Sequence, residues 1–179
     1  MNIREFVERS IGCWRSQRSG HNLAFQHFEE VRSTIEITAL AVNNPAVLEL
    51  CKTHDIDPAI AVSPFHMSWE GESDWDEEET IEGNCILVPI PDPELPNQGR
   101  LLRSQGYAET IPAIGRYRLT EDDRFILVTN YDRAAAEEQI WFANPNTRFR
   151  VSLIKTSAGT AVITASFASE IRDLSRQSN

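Results

Sequence analysis

The stretch IWFANPNTRFRVS, Ile140 to Ser152, places Asn144-Pro145-Asn146 between two apolar runs. Asn-Pro-Asn is turn chemistry, and the residues beyond it alternate: Phe149, Val151 and Leu153 on one face, Arg148, Arg150 and Ser152 on the other. The spacing predicts a β-hairpin whose second strand points two arginines the same way. On the first arm Glu138 shares a face with Ile140 and Phe142, and downstream Glu170 closes the block SFASEIR. If the polar face turns inward, Arg148 and Arg150 lie near the floor of a cavity and demand anions, with Glu138 and Glu170 at hand. If it turns outward, they are an ordinary wet strand face.

Outward from this hairpin the same pattern repeats. Ten strands are expected: Cys13 to Phe25, Val31 to Val42, Ala59 to Trp69, Asn84 to Ile90, Gly99 to Tyr107, Ile114 to Leu119, Arg124 to Tyr131, Glu137 to Ala143, Arg148 to Lys155 and Ala161 to Ala168. Turn residues such as Ser19-Gly20, Pro91-Asp92-Pro93 and Asp122-Asp123 separate them. Two helices are expected. Asn2 to Glu8 carries Ile3, Phe6 and Val7 on one face, as a lid or plug; Ala46 to His54 follows Pro45. Many short, evenly spaced strands with hairpin-length connections make the chain mainly all-β, an antiparallel barrel or a sandwich. A sandwich leaves its polar faces to water, whereas a small closed barrel can turn them onto a ligand.

The 179 residues fit one domain, 1–179, with a frayed tail from about 174 to 179. A formal net charge of -10 argues against nucleic acid. No apolar run approaches the roughly 20 residues of a membrane span, and MNIREFVERS lacks a signal-peptide core, so a cytoplasmic protein is expected. Cys13, Cys51 and Cys85 are odd in number and far apart, which suggests neither a disulfide framework nor a zinc site. His21, His27, His54 and His66 lack metal-ligand spacing, so no metal is expected. Eight acidic residues crowd Glu70 to Glu82, either a solvated loop or a docking surface for a basic partner. Trp75 within that run favours the second reading.

Trp14, Ser16 and Arg18 share a face of the first strand. There Trp14 either anchors the core, with Arg18 packed over it, or contacts a ligand directly. Trp69, Trp75 and Trp141 complete a set suited equally to a core or to stacking on a flat conjugated molecule.

The blocks GCWRSQRSGHNL, GNCILVPIPD, GRLLRSQGYAE, EEQIWFANPNTRFRVS and SFASEIR together resemble the S-type phycobiliprotein lyases, chromophore lyases that load linear tetrapyrroles onto phycobiliproteins of the phycobilisome. The resemblance runs in order over nearly the whole chain. It implies a calycin fold, a ten-stranded antiparallel β-barrel like those of lipocalins and fatty-acid-binding proteins. It also implies an enzyme that binds a bilin such as phycocyanobilin as substrate, without a permanent cofactor. The bilin would be joined by a thioether to a cysteine of an apo-phycobiliprotein subunit of phycocyanin or allophycocyanin, the β subunit being expected. By position in the motifs, Arg18, Glu138, Arg148 and Glu170 would line the bilin pocket, and strand parity adds Arg150. Glu138 and Glu170 are the expected catalytic carboxylates; Arg18, Arg148, Arg150, Trp14, Trp69, Trp75 and Trp141 are the expected ligand-binding set. A homodimer or a partner lyase subunit is left open, and the rival reading is a non-catalytic calycin carrier of a tetrapyrrole or lipid.

Overall fold

A computed structural model describes residues 1–23, 25–73, 80–105, 112–156 and 161–176. Ten strands run in order: β1 (Gly12–Asn22), β2 (His27–Ala39), β3 (Phe65–Ser73), β4 (Thr80–Pro91), β5 (Gln98–Arg103), β6 (Ala113–Leu119), β7 (Phe125–Asn130), β8 (Ala134–Asn144), β9 (Thr147–Thr156) and β10 (Val162–Arg172). Each pairs antiparallel with its sequence neighbour, and β1 pairs with β10, so the sheet closes into an up-and-down barrel. The expected ten-stranded antiparallel barrel is therefore the fold. Closure removes every sheet edge and gives the polar faces an inside to point into.

The alternation that predicts the strands is visible in their burial. Along β6, Ala113, Gly115, Tyr117 and Leu119 are buried while Ile114, Arg116 and Arg118 are exposed. The β8–β9 turn fixes the register of the opening hairpin: Asn144 Oδ1 accepts from the Asn146 backbone N–H at 2.9 Å, which sets Arg148 opposite Phe142 and Arg150 opposite Ile140. Both arginines point inward.

The two helices do different work. The first, α1 (Ile3–Ser10), begins with a capping box in which Asn2 accepts from the Glu5 N–H and Glu5 accepts from the Asn2 N–H. Its buried Ile3, Phe6 and Val7 enter one end of the barrel, where Phe6 stacks on Phe125 with ring centroids 4.2 Å apart. The plug anticipated from the sequence is in place. The second helix, α2 (Pro45–Thr53), starts at Asn44, which accepts from Ala46 N–H. It lies outside, packing Val47, Leu50 and Cys51 on Val88, Ile90 and Leu102. That is why CILVPI in β4 is apolar throughout: one face meets the barrel interior and the other meets α2.

Several boundaries move. Residues expected to open the third strand at Ala59 instead form a 3-10 turn, Pro58–Ile60, begun by Asp57 accepting from Ala59 N–H. Pro58 favours that start over a ladder, and the strand begins at Phe65. The last strand continues through Glu170 to Arg172, and Leu174–Arg176 of the expected tail form a second 3-10 turn. There Asp173 accepts from the Ser175 N–H and hydroxyl, which gives the chain end local partners. Among the described residues no helix is long and apolar enough to cross a membrane.

Candidate functional site

Across the middle of the barrel the inward residues form a layer of charge. Three cross-strand rows supply it: Ser16–Glu170–Arg148, Arg18–Ala168–Arg150 and Gly20–Ser166–Ser152–Glu138. Arg103 joins from β5. Cations and anions then alternate. Arg103 donates to Glu138 at 2.7 Å, and Arg150 reaches Glu138 at 3.5 Å and Glu170 at 3.3 Å. Arg148 donates through Nε to Glu170, with both side chains 1% exposed. Burial alone would raise the Glu170 carboxyl, but the guanidiniums of Arg148 and Arg150 outweigh it and hold the group below its ordinary range. At neutral pH Glu170 is an anion, an acceptor and not a donor.

Below this layer the barrel is filled mainly by apolar side chains. Trp14, fully buried, donates from Nε1 to the Ser10 carbonyl at 2.8 Å. The guanidiniums of Arg148 and Arg172 lie over its ring at 4.4 and 4.2 Å. Arg172 in turn donates to the Arg9 carbonyl at 2.6 Å and to the Ile11 carbonyl, tying the end of α1 to the barrel. The plug, the tryptophan and the charge layer are thus one packed unit.

Above the layer lies a cavity of about 500 Å³. Arg18, Arg103, Arg150, Glu170, Met67 and Trp69 are among its lining residues. It extends toward the β1–β2 connection, opposite the end that α1 closes; Asn22 and His27 of that hairpin belong to its wall. Trp69 owes its position to Gly83, its direct partner on β4, because a Cβ there would stand 2.4 Å from the indole ring. Gly83→Ala is accordingly expected to push Trp69 into the cavity, shifting the tryptophan emission while the unfolding midpoint changes little. An unaltered emission spectrum would show that the ring finds room elsewhere.

The structure sorts the residues expected from sequence. Glu170, Arg18, Arg150 and Trp69 line the cavity. Glu138 and Arg148 sit one step lower, gripping those that do, and border a small apolar-walled space of about 40 Å³ above the plug. Two expectations are corrected. Trp14 is buried beneath the charge layer, and the cations over it are Arg148 and Arg172 instead of Arg18. Trp141 faces outward, between the ring of Phe149 at 5.6 Å and the guanidinium of Arg124 at 4.7 Å. Strand parity sends it there, since Ile140 and Phe142 on either side point in. Trp75 lies outside the described residues. Arg103 is the residue that sequence reading missed; its signal is the alternation Gly99, Leu101, Arg103, one charge in phase with an inward leucine. Cys13, Cys51 and Cys85 are buried free thiols.

Comparison with known proteins agrees with this architecture. A family model described as CpeS-like protein matches residues 2–173. A chromophore lyase named CpcS/CpeS 3 from Trichodesmium erythraeum is 65% identical over 172 residues, covering 96% of this chain and 99% of that one. A relative from Microchaete diplosiphon, which carries the provisional name phycoerythrobilin lyase CpeS, is 60% identical over 158 residues, 88% of this chain and 71% of that one. The solved structure of the S-type phycobiliprotein lyase CPES from Guillardia theta superposes with a TM-score of 0.85 at 50% identity, covering 97% of this chain and 93% of that one. With the barrel, the family model and these relatives in agreement, the chain belongs to the CpeS-like protein family, the family of the S-type chromophore lyases.

Proposed function

We propose that the cavity binds a linear tetrapyrrole and that the protein attaches it, through a thioether, to a cysteine of a phycobiliprotein subunit. The observation that carries this reading is the cavity of about 500 Å³ floored by alternating guanidiniums and carboxylates. A bilin offers two propionates, a flat conjugated surface and pyrrole N–H donors. Arg18 and Arg150 suit the propionates, Trp69 suits a ring face, and Glu170 suits the N–H groups as an acceptor. The volume falls within the range of small-molecule sites.

The chemistry is an addition. The acceptor thiol's sulfur bonds to the ethylidene carbon of ring A, the double bond is lost, and the thiol's proton is taken up by the ring system. No nucleophile from the lyase is needed. Its contribution is to hold one conformer with ring A toward the open end, which is catalysis by orientation. Glu170, held ionised, stabilises positive charge on the pyrroles during the addition. Glu138, engaged by Arg103 and Arg150 beneath the cavity, supports the layer.

The acceptor is a phycobiliprotein subunit, with a β subunit of phycocyanin or allophycocyanin the first to try. The acidic run from Glu70 to Glu82 is assigned to docking it. Residues 74–79 of that run lie outside the described residues, while Glu70, Glu72 and Glu82 are exposed on β3 and β4. Neutralising Glu77, Glu78 and Glu79 together is expected to slow transfer at low salt and to flatten its salt dependence. An equal rate at low salt would remove the run from docking.

The deciding experiment incubates the protein with phycocyanobilin and an apo-β subunit and reads the acceptor's absorption after acid-urea denaturation, beside a lyase-free control. A covalent product formed faster and more cleanly than in the control establishes the lyase. Binding with no acceleration supports a carrier. Phycoerythrobilin in parallel decides the preferred bilin.

A further inference from the structure

Arg18 is a carboxylate-seeking residue at the cavity wall, and the protein already sets a carboxylate beside it. Glu29 Oε2 stands 3.8 Å from Arg18 Nη2, with the two side chains 33% and 37% exposed. Both line the cavity. They are diagonal neighbours on the inner face of the β1–β2 pair, since Arg18 is opposite Val31 and Glu29 is opposite Gly20. Gly20 has no side chain to stand in the way. The Glu29 carboxylate lies over it, 3.9 Å from where a Cβ would be, and so reaches along β1 toward Arg18.

The contrast with the charge layer is what gives this pair its meaning. Glu170 and Glu138 are held within buried networks whose shortest contacts are of hydrogen-bond length, so exchanging them for another anion is costly. The Arg18–Glu29 contact is long, part-exposed and worth little by itself. Its geometry is that of an ion pair that can be traded.

We propose that Glu29 is the protein's own occupant of the carboxylate site at Arg18, and that a propionate of the incoming ligand displaces it. The inference rests on the reading of the cavity as a bilin site. Before binding, Glu29 keeps Arg18 aimed along the wall. On binding, one carboxylate replaces another, so what Arg18 adds to the ligand's affinity is the difference between two similar ion pairs. Glu29 then tempers the affinity for a ligand that brings its own carboxylate, by the strength of the pair that must be broken. A neutral ligand gains nothing at Arg18 and leaves the pair intact.

The test is a titration of the full chain with phycocyanobilin and with its dimethyl ester, for the wild type, Glu29→Gln, Arg18→Met and the double variant. Thermal unfolding confirms that each is folded. Glu29→Gln is expected to tighten the free acid about two- to fivefold, the range for losing one part-exposed competing ion pair. The ester should bind both proteins equally, and in the Arg18→Met background Glu29→Gln should change nothing. Wild-type binding of the free acid, with Glu29→Gln unchanged or weaker, overturns the exchange and leaves the bilin reading standing. Equal tightening of the ester overturns it too, because the gain then has no carboxylate behind it. A wild type that binds no bilin overturns both.

Discussion

Arg148→Ala is expected to cost the fold about 3–5 kcal/mol, because it leaves the buried Glu170 carboxylate without its closest cation. The retained contact between Arg150 and Glu170 at 3.3 Å places the expected value in the lower half of that range. Bilin affinity and transfer should fall together, since the floor of the cavity loses its geometry. Chemical denaturation measures the first effect and the acid-urea assay the second. Arg148→Lys should rescue neither in full, since an ammonium cannot reproduce a planar guanidinium lying over Trp14. The paired change Arg148→Met with Glu170→Met separates the two roles. It should recover much of the stability, because removing both members of a buried ion pair is far cheaper than removing one, while binding stays lost. A folded Arg148→Ala with normal transfer would take Arg148 out of the site.

Glu170→Gln is expected to have the larger effect on chemistry. The amide is nearly isosteric but carries no charge, so on the proposed mechanism the pyrroles would lose the acceptor that stabilises them when positively charged. Transfer should slow by about 100-fold, at the modest end of what a positioned acid–base group contributes. Single-turnover rates measured against bilin concentration separate this from weaker binding. Glu138→Gln is the matched control. That carboxylate lies below the cavity and is gripped by Arg103 and Arg150, so its loss should weaken affinity and stability more than it slows the chemical step. Equal rate losses in both variants would mean that the charge layer acts as one unit and that Glu170 has no separate part.

The strands were legible because they alternate cleanly, whereas the choice of a barrel over a sandwich came from the family resemblance; the inward turn of Arg148 and Arg150 follows from strand parity once the sheet closes. Closure itself is not a local property. Nothing near Trp14 or Arg172 announces that β1 will pair with β10, and without that pairing the row Ser16–Glu170–Arg148 does not exist. Depth was hidden for the same reason: Trp14 and Arg18 share a face, yet one belongs to the plug and the other to the wall. Trp141 was placed wrongly despite a readable signal. Its residue type suggested stacking on a ligand, while its phase between Ile140 and Phe142 pointed it outside. Arg103 was missed because its partner Glu138 lies 35 residues away in sequence, beyond the reach of any local pattern. The 3-10 turn at Pro58 shows a smaller failure, where a run of apolar residues outweighed the signal of a proline behind an aspartate.

The helix that fills one end of the barrel dictates an order of events. With Ile3, Phe6 and Val7 packed into that end, the cavity extends, among the described residues, toward the opposite end at the β1–β2 connection. On the proposed reading, with bilin and acceptor both using that end, bilin is expected to arrive before the acceptor docks, and an acceptor bound to an empty barrel is expected to block its own reaction. The kinetics should be compulsory-ordered, with inhibition by excess apo-subunit that added bilin relieves.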